Sequence, residues 1–361
     1  MIPSIKILTS AIGYGTYFPA LLVKKNFERM GMAAEILLFE RLYNTEKKKL
    51  FRDTAEAFAT NFKLAQLANK VPVDYRASTD ESQVNARYAD WSKETSIHFV
   101  CFSGLWFEIL KDFRPASTQI KISCCRMDAG HAHTWVNHSS LAIDDVYYFY
   151  DMAKQQINYR FEIPAFSCRP YMERDNSILI HGGGWALGDF IASTTGLVAK
   201  GYHRNIIIRN SEDFDAEEAG TTFFMNDPLW DMVGDANQKD SFPAIGKMTT
   251  ANMIDYANQD HYHPILDLVN TGKAMVSKPG GMTFADALIT CTPIFYLEPL
   301  GENEMGNSVL IETLKIGMSF KKWEREGFDP RYLTLFHENL KRLKRETPDF
   351  VAAYIEKNSF S

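Results

Sequence analysis

The chain has 361 residues, 45% hydrophobic and 23% charged, with a formal net charge of −6, the balance of an ordinary globular protein long enough for two cores. An acidic total with no basic stripe excludes a dedicated nucleic-acid binder, and no apolar run is long enough to cross a bilayer. Five cysteines without a C-x-x-C spacing give neither a disulfide framework nor a zinc site, and point to a reducing, cytoplasmic setting.

Ile5 to Leu8 reads as a first buried strand, and the residues around it lack the charged start and cleavage site of a signal peptide. Gly13-Tyr14-Gly15-Thr16 follows directly. Glycines there fit a tight βα turn whose amides face the cleft at the strand ends, although a plain turn explains them equally well. Phe18 stands where the third glycine of a dinucleotide fingerprint would fall. Further strands are predicted at Glu35–Phe39, His98–Phe102, Lys121–Cys125 and Val146–Tyr150. Between them Asn44–Asn69 carries Leu50, Phe51, Ala55, Phe58, Phe62 and Ala65 at helical spacing, one or two amphipathic helices that either cover the sheet or form a variable acceptor-binding insertion. This alternation is the α/β signature.

The two prolines around Ile163–Pro170 break the pattern and mark a linker. A second series then begins with a strand at Ser177–His181, the run Gly182-Gly183-Gly184, a helix through Leu197, and strands at Asn205–Arg209 and Thr221–Met225. Three glycines in a row between strand and helix are costly in entropy, and an anion-binding loop accounts for them. No Gly-Lys-Ser/Thr follows, so the loop is not of Walker type.

The most informative stretch is Val276-Ser277-Lys278-Pro279-Gly280-Gly281-Met282-Thr283: a short strand, a glycine turn and a helix opening at Met282 or Thr283, with a proline-entered strand at Ile294–Leu297 beyond. Amides at such a turn and the positive end of the helix favour phosphate. Asp286, on the first turn, is placed to accept hydrogen bonds from ribose hydroxyls. Pro299–Asn307 is rich in acceptor groups suited to sugar hydroxyls, or simply an acidic helix start. The last segment, Asp329–Lys357, is helical in pattern and expected to pack along the outside.

Taken together, Gly13-x-Gly15-x-x-x-Pro19, Gly182-Gly183-Gly184, Ser277 to Thr283, Pro293 and Gly301-Glu302-Asn303-Glu304-x-x-Asn307 resemble the GT-B glycosyltransferases, in particular the N-acetylglucosaminyltransferase that makes lipid II and the monogalactosyldiacylglycerol synthases. The resemblance implies two Rossmann-like domains facing across a central cleft. Residues 1–165 would form an acceptor-binding domain, 170–328 a nucleotide-sugar-binding domain, and 329–361 a helical extension packing outside. It also implies an inverting hexosyltransferase that uses no metal and no cofactor, with a nucleoside diphosphate sugar, uridine-linked by resemblance, as co-substrate. Gly183 and Gly184 would lie by the pyrophosphate. Gly280, Gly281, Met282 and Thr283 would present amides and a hydroxyl to it, Asp286 would take the place of the relatives' ribose-binding glutamate, and Glu304 and Asn307 would meet the donor sugar.

On the acceptor side the resemblance places Gly13, Gly15 and Thr16, with Ser103, Gly104 and Trp106 after the third strand, where Trp106 either stacks on an acceptor ring or is an ordinary core tryptophan. Relatives often carry a histidine base where this chain has Thr16, whose hydroxyl cannot act as a base near neutral pH. The substitute expected is His131 or His133, with Asp128 as base or as the carboxylate orienting an imidazole. A small-molecule hydroxyl or amine is the expected acceptor, with a lipid-like one as the variant. Nucleic acid and stable membrane insertion are excluded as partners, and Lys24-Lys25 and Lys47-Lys48-Lys49 allow only a weak peripheral contact. The rival readings are a non-catalytic sugar-nucleotide-binding subunit and an epimerase of the same two-domain plan.

Overall fold

The computed structural model describes residues 3–10, 14–50, 57, 61–68, 74–130, 133–135, 141–184, 186–230, 240–250 and 253–358. The first of its two large sheets is built from β1 (Ser4–Thr9), β2 (Ala34–Leu38), β3 (Ser96–Cys101), β4 (Gln119–Arg126) and β5 (Asp145–Tyr148). Its order is β2-β1-β3-β4-β5, parallel throughout. A small antiparallel ribbon, β6 (Tyr150–Asp151) with β7 (Gln156–Ile157), leads out of it.

The second sheet comprises β8 (Ser177–His181), β9 (His203–Ile208), β10 (Thr221–Asn226), β11 (Ile245–Thr250), β12 (Met253–Ala257), β13 (Ala274–Ser277), β14 (Ile294–Tyr296) and β15 (Gly317–Ser319). Its order is β12-β11-β10-β9-β8-β13-β14-β15, with β11 and β12 added antiparallel at one edge. Strand order reverses between β1 and β3 in one sheet and between β8 and β13 in the other. Open α/β sheets form a ligand crevice at the carboxyl ends of such strands.

The helices are α1 (Tyr14–Arg29), α2 (Phe62–Ala68), α3 (Glu81–Trp91), α4 (Phe107–Asp112), α5 (Ile265–Thr271), α6 (Gly281–Thr290), α7 (Glu302–Thr313), α8 (Phe320–Arg325), α9 (Arg331–Glu346) and α10 (Phe350–Asn358). Burial on both faces explains why β8 and β13 read as unbroken apolar runs: Ile178, Leu179, Ile180 and all of β13 are buried. In α9 the residues Leu333, Phe336, Leu340 and Leu343 form a single stripe that seats the helix on the sheet. The chain then returns to the first sheet through α10. Tyr354 packs against Phe27 and Tyr147, its hydroxyl 3.3 Å from Ser123 Oγ, while Lys357 pairs with Asp145 at 2.5 Å.

The halves share one buried cluster that includes Ile5, Ile7 and Phe102 of the first sheet and Leu179, Met275 and Ile294 of the second. Much of this contact comes from α1. Phe18 packs edge-on against Phe242 at 5.3 Å and beside His263 at 4.7 Å, Tyr17 donates to the Ser241 carbonyl at 3.2 Å, and Lys24 pairs with Asp240 at 2.6 Å.

The strands expected from sequence form with ends displaced by no more than two residues. Other expectations shift. The helix expected through Leu197 is two single-turn pieces, 190–193 and 196–199, and α6 opens one residue early, at Gly281. Within Asn44–Asn69 the described helical residues are 45–50, 57 and α2, while Phe51, Ala55 and Phe58 lie outside the description. The β11–β12 hairpin has no counterpart in the sequence reading. It depends on Gly246, where a Cβ would come within 2.2 Å of the Ile254 side chain. Among the described residues no helix is long and apolar enough to cross a membrane.

If α10 is the clasp over the first sheet, Tyr354→Ala should cost about 3–5 kcal/mol of stability, as for other large aromatic truncations, while Tyr354→Phe should cost about 1 kcal/mol. Urea unfolding followed by intrinsic fluorescence reads both.

Candidate functional site

At the carboxyl end of β8 the chain runs through His181, Gly182, Gly183 and Gly184 and folds back on itself. Leu187 N–H donates to Gly182 O at 2.8 Å and Ala186 N–H to Gly183 O at 3.1 Å. Two of the three glycines have a local reason. A Cβ at Gly182 would lie 2.5 Å from Leu187 N, and Gly183 has φ +78°. Packing therefore requires part of this run, whereas Gly184 is exposed. His181 accepts from Gly183 N–H at 3.2 Å and stands 3.4 Å from Ser277 Oγ. Burial lowers its pKa to about 4, so the imidazole is neutral.

Across the switch point, β13 delivers Ser277 and Lys278. Ser277 Oγ is 3.3 Å from Thr283 Oγ1, tying the strand end to α6. Lys278 is buried, its stem 3.5 Å from where a Cβ of Gly183 would be, its ammonium donating to the Glu298 carbonyl and lying 3.7 Å above the Phe62 ring of α2. Burial drops its pKa to about 8, with Glu304 and Glu298 pulling the other way. A buried ammonium with a carbonyl and a π-face as its near partners is poised for an anion.

The N-terminus of α6 already has one. Asp128, in the loop after β4, accepts the Gly281 N–H, and also hydrogen bonds from Asn307 Nδ2 at 2.7 Å and Asn303 Nδ2 at 3.2 Å. Desolvation raises its pKa while these donors pull it down. Asn307 is fully buried: Nδ2 also donates to Pro279 O at 2.8 Å, and Oδ1 accepts from Ala129 N–H at 2.7 Å. Close backbone contact completes the seam. A Cβ on Gly281 would lie 2.2 Å from Met127 O, one on Gly130 2.3 Å from Glu302 O, and one on Gly306 2.6 Å from Gly130 N. The loop 127–130 thus docks on the starts of α6 and α7 together.

Glu304 is half-buried beside this seam, its Oε2 accepting Leu300 N–H at 2.6 Å and its Oε1 3.8 Å from a Cβ position at Gly280. Burial lifts its pKa to about 7. Deeper along α6, Asp286 is buried and its Oδ1 has no hydrogen-bond partner. Burial pushes its pKa up to about 8. Between Asp286 and Asp128 lies Tyr150, whose hydroxyl donates to Gly281 O at 2.9 Å and whose ring packs on Phe284 at 4.2 Å. Met282 is partly buried against the same core.

Asp128, Gly280, Gly281, Glu304 and Asn307 therefore meet at one seam, with Thr283 and Asp286 further along α6 and Gly183 approaching through Lys278. The acceptor-side residues divide. Gly15 and Thr16 open α1, where Gly15 borders open space and Thr16 Oγ1 donates to Ser10 O at 3.0 Å. Ser103 Oγ accepts from Leu105 N–H at 3.4 Å, and Gly104 is pressed against the Thr134 carbonyl, which a Cβ would meet at 1.9 Å. Trp106 corrects the cleft placement. It is 1% exposed, edge-on to Phe39, with its indole N–H given to Thr9 O at 2.7 Å, so it is core and unable to stack on a ligand. Gly13 and His131 lie outside the described residues, as does the side chain of His133, whose backbone belongs to the turn His133–Trp135.

Three groups were not singled out from sequence. Lys278 was visible inside the glycine motif but had no assigned role. Glu40, just after β2, is fully buried and accepts from Ser10 Oγ at 2.5 Å. His263 is buried beside Phe18 with neither ring nitrogen hydrogen-bonded, its pKa lowered to about 3 by burial and by His181. An acidic residue ending an apolar strand and a lone histidine carry no periodic signal, so only the fold reveals them.

The sequence matches no family model and no curated protein. The fold, by contrast, is that of the GT-B glycosyltransferases. The spinosyn rhamnosyltransferase SpnG superposes with TM-score 0.54 at 9% identity, over 99% of this chain and 100% of its own. The Streptomyces sp. SF2575 glycosyltransferase SsfS6, also solved with thymidine diphosphate, gives 0.53 at 8% identity over 98% and 99%. Acinetobacter baumannii MurG gives 0.50 at 12% identity over 98% and 99%.

Gly281→Ala should drive loop 127–130 off α6. Hydrogen exchange should then show the Ala129 and Gly281 amides losing protection while β8 and β13 keep theirs. Asp286 yields a pH signature. Its native pKa lies above its unfolded value of about 3.9, so between roughly pH 4 and pH 8 the native state holds a proton that the unfolded state has released. Its contribution to stability therefore falls as pH rises through that window, by up to about 1.4 kcal/mol per pH unit. Urea midpoints from pH 5 to pH 8 should decline more steeply in the wild type than in Asp286→Asn; parallel slopes would remove the assignment.

Proposed function

We infer that the protein is a glycosyltransferase that moves a sugar from a nucleoside diphosphate sugar to a small-molecule hydroxyl or amine. The observation that carries this reading is the convergence of the β8 glycine loop, buried Lys278 and the α6 N-terminus at the strand-order reversal of the second sheet. Neutral amides, a helix start and one ammonium suit a diphosphate. The GT-B fold adds support, since SsfS6 and SpnG have both been solved with thymidine diphosphate and a plant relative with UDP-2fluoro-glucose and pterostilbene. Thymidine and uridine diphosphate sugars are thus the first donors to test.

In this reading 170–328 holds the donor, 1–165 holds the acceptor and 329–361 clasps them. The diphosphate takes the position Asp128 occupies at Gly281, with Gly183 and Gly184 on its other side and Lys278 between. Thr283 supplies a hydroxyl, Asp286 the ribose contact and Glu304 the sugar contact, while Asn307 stays with the loop as its strut. Displaced from the helix, Asp128 becomes free to accept the acceptor's proton directly or to orient His131 or His133. Attack on the face opposite the leaving diphosphate would invert the anomeric centre, and amides with Lys278 offset the departing charge without calling on a metal. A cytoplasmic setting belongs to the same reading, since five cysteines without a paired spacing suit a reducing compartment.

A second reading is favoured by the same seam. If Asp128 never leaves α6, the chain is a partner-dependent subunit without turnover of its own.

Calorimetric titration with thymidine and uridine diphosphates, in chelator, separates the two. Lys278→Met should weaken binding about 10- to 100-fold, the worth of a charge-assisted hydrogen bond. Asp128→Asn, which removes the competing anion, should tighten diphosphate binding about 5- to 10-fold yet abolish most transfer to a phenolic acceptor. No diphosphate binding to any of the three proteins would end the transferase reading, whereas binding insensitive to Asp128 without turnover would favour the subunit.

A further inference from the structure

Away from the site just described, Cys168 lies in the linker between the sheets and Cys291 at the far end of α6. Their sulfurs are 4.0 Å apart. Lys344 of α9 brings its ammonium to 3.1 Å from Cys168 Sγ and donates to the Ile289 carbonyl at 2.5 Å, a carbonyl that also lies 3.1 Å from the Cys168 sulfur. Cys168 is partly exposed, in a segment without regular secondary structure, and Cys291 is buried in the left-handed cap of the helix at φ 54°. The other thiols, Cys101, Cys124 and Cys125, are buried in the first sheet.

We propose that Cys168 and Cys291 are a peroxide-sensitive pair that closes to a disulfide and staples the linker to the C-terminal end of α6. A disulfide needs sulfurs about 2.05 Å apart, so closure requires about 2 Å of approach, which the irregular chain around Cys168 can supply. The charges facing the pair divide the labour. Cys291's S–H, the Lys344 ammonium and the Arg174 guanidinium favour thiolate at Cys168 and lower its pKa against the opposing effect of burial, while the hydrogen bond to Cys168 and then burial hold Cys291 as a thiol. Accessible thiolates are the ones that hydroperoxides oxidise. The Cys168 sulfur attacks one peroxide oxygen, the S–O bond forms as the O–O bond breaks, and the departing oxygen leaves as water after taking a proton. Cys291, losing its proton, then attacks the Cys168 sulfur and the hydroxyl leaves as a second water. Two thiols and one hydrogen peroxide give one disulfide and two waters.

The consequence reaches the candidate site. A covalent tie at one end of α6 fixes the helix against the linker that any separation of the two sheets must bend, so the oxidised protein should open its seam less readily. This inference does not depend on the chemistry proposed for the site.

Hydrogen peroxide added to the full chain, followed by alkylation and peptide mass spectrometry, provides the test. The expected product is a dithiothreitol-reversible link between the peptide bearing Cys168 and that bearing Cys291, formed while Cys101, Cys124 and Cys125 remain alkylatable. In Cys291→Ser the Cys168 sulfenic acid should accumulate and be trapped by dimedone. Lys344→Met, far from the sheet core, should slow Cys168 alkylation about three- to tenfold at neutral pH. Oxidation falling first on the buried trio, or a link that forms only after urea unfolding, would overturn the proposal.

Discussion

The contact on which the arrangement depends is the carboxylate of Asp128 on the N-terminus of α6. Each side relieves a cost on the other. A helix start leaves amides without partners and a partial positive charge; a carboxylate drawn out of water needs donors. Gly281 N–H, Asn307 and Asn303 supply those donors from the second half of the chain to a residue of the first. Asn307 is what makes the bond specific, because its amide holds Asp128, Pro279 and Ala129 at once. The three glycines at the contact then follow as a requirement, since side chains at 130, 281 or 306 would push the backbones apart.

That geometry explains why the seam can be both firm and exchangeable. Asp128 contributes one charge, and its raised pKa shows that desolvation takes back part of what the donors give. In the proposed reading a diphosphate would bring more charge and more acceptor oxygens, and it would meet Lys278 as well, which the carboxylate does not reach by any hydrogen bond described. An anion able to use both the helix start and the ammonium has the advantage over one that uses only the first. The apolar part of the interface, where Phe18 meets Phe242 and His263, carries no such competition and would keep the halves in register if the polar part rearranged as proposed.

How much of this the sequence contains depends on the kind of interaction. The buried strands were legible because burial on both faces writes an unbroken apolar run, and the turn at Lys278–Gly281 because glycine and proline punctuate it. Asp128 and Asn307 were each legible as polar residues near a turn, but their pairing was not, since hydrogen bonds spanning 179 positions leave no local trace. Trp106 shows the opposite failure: a loop tryptophan looks available until Thr9 O is found holding its indole. The β11–β12 hairpin escaped because its strands lie at an edge and alternate weakly, with exposed residues dominating β12. The glycine run after β8 was legible as unusual, and only coordinates divide it into glycines demanded by packing and one left open.

Lys278 carries the argument one step further. Burying an ammonium beside a carbonyl and an aromatic face costs stability that a neutral residue would spare, and the Glu304 and Glu298 charges offset only part of it. Burial accordingly draws its pKa down to about 8 from the 10.5 of a solvated lysine, against the pull of Glu304 and Glu298. A stable fold does not need such a residue there: the glycine loop closes through Leu187 and Ala186 without it, and Ser277 already ties β13 to α6. An anion arriving between the loop and the helix would restore the ammonium's full charge, so binding and reprotonation reinforce each other. The same anion would favour the protonated form of Glu304, whose pKa burial already raises to about 7. Cation, helix start and exposed glycine thus form one electrostatic unit that, in the proposed reading, a ligand of the opposite sign would satisfy together, whereas Asp128 satisfies the helix start alone.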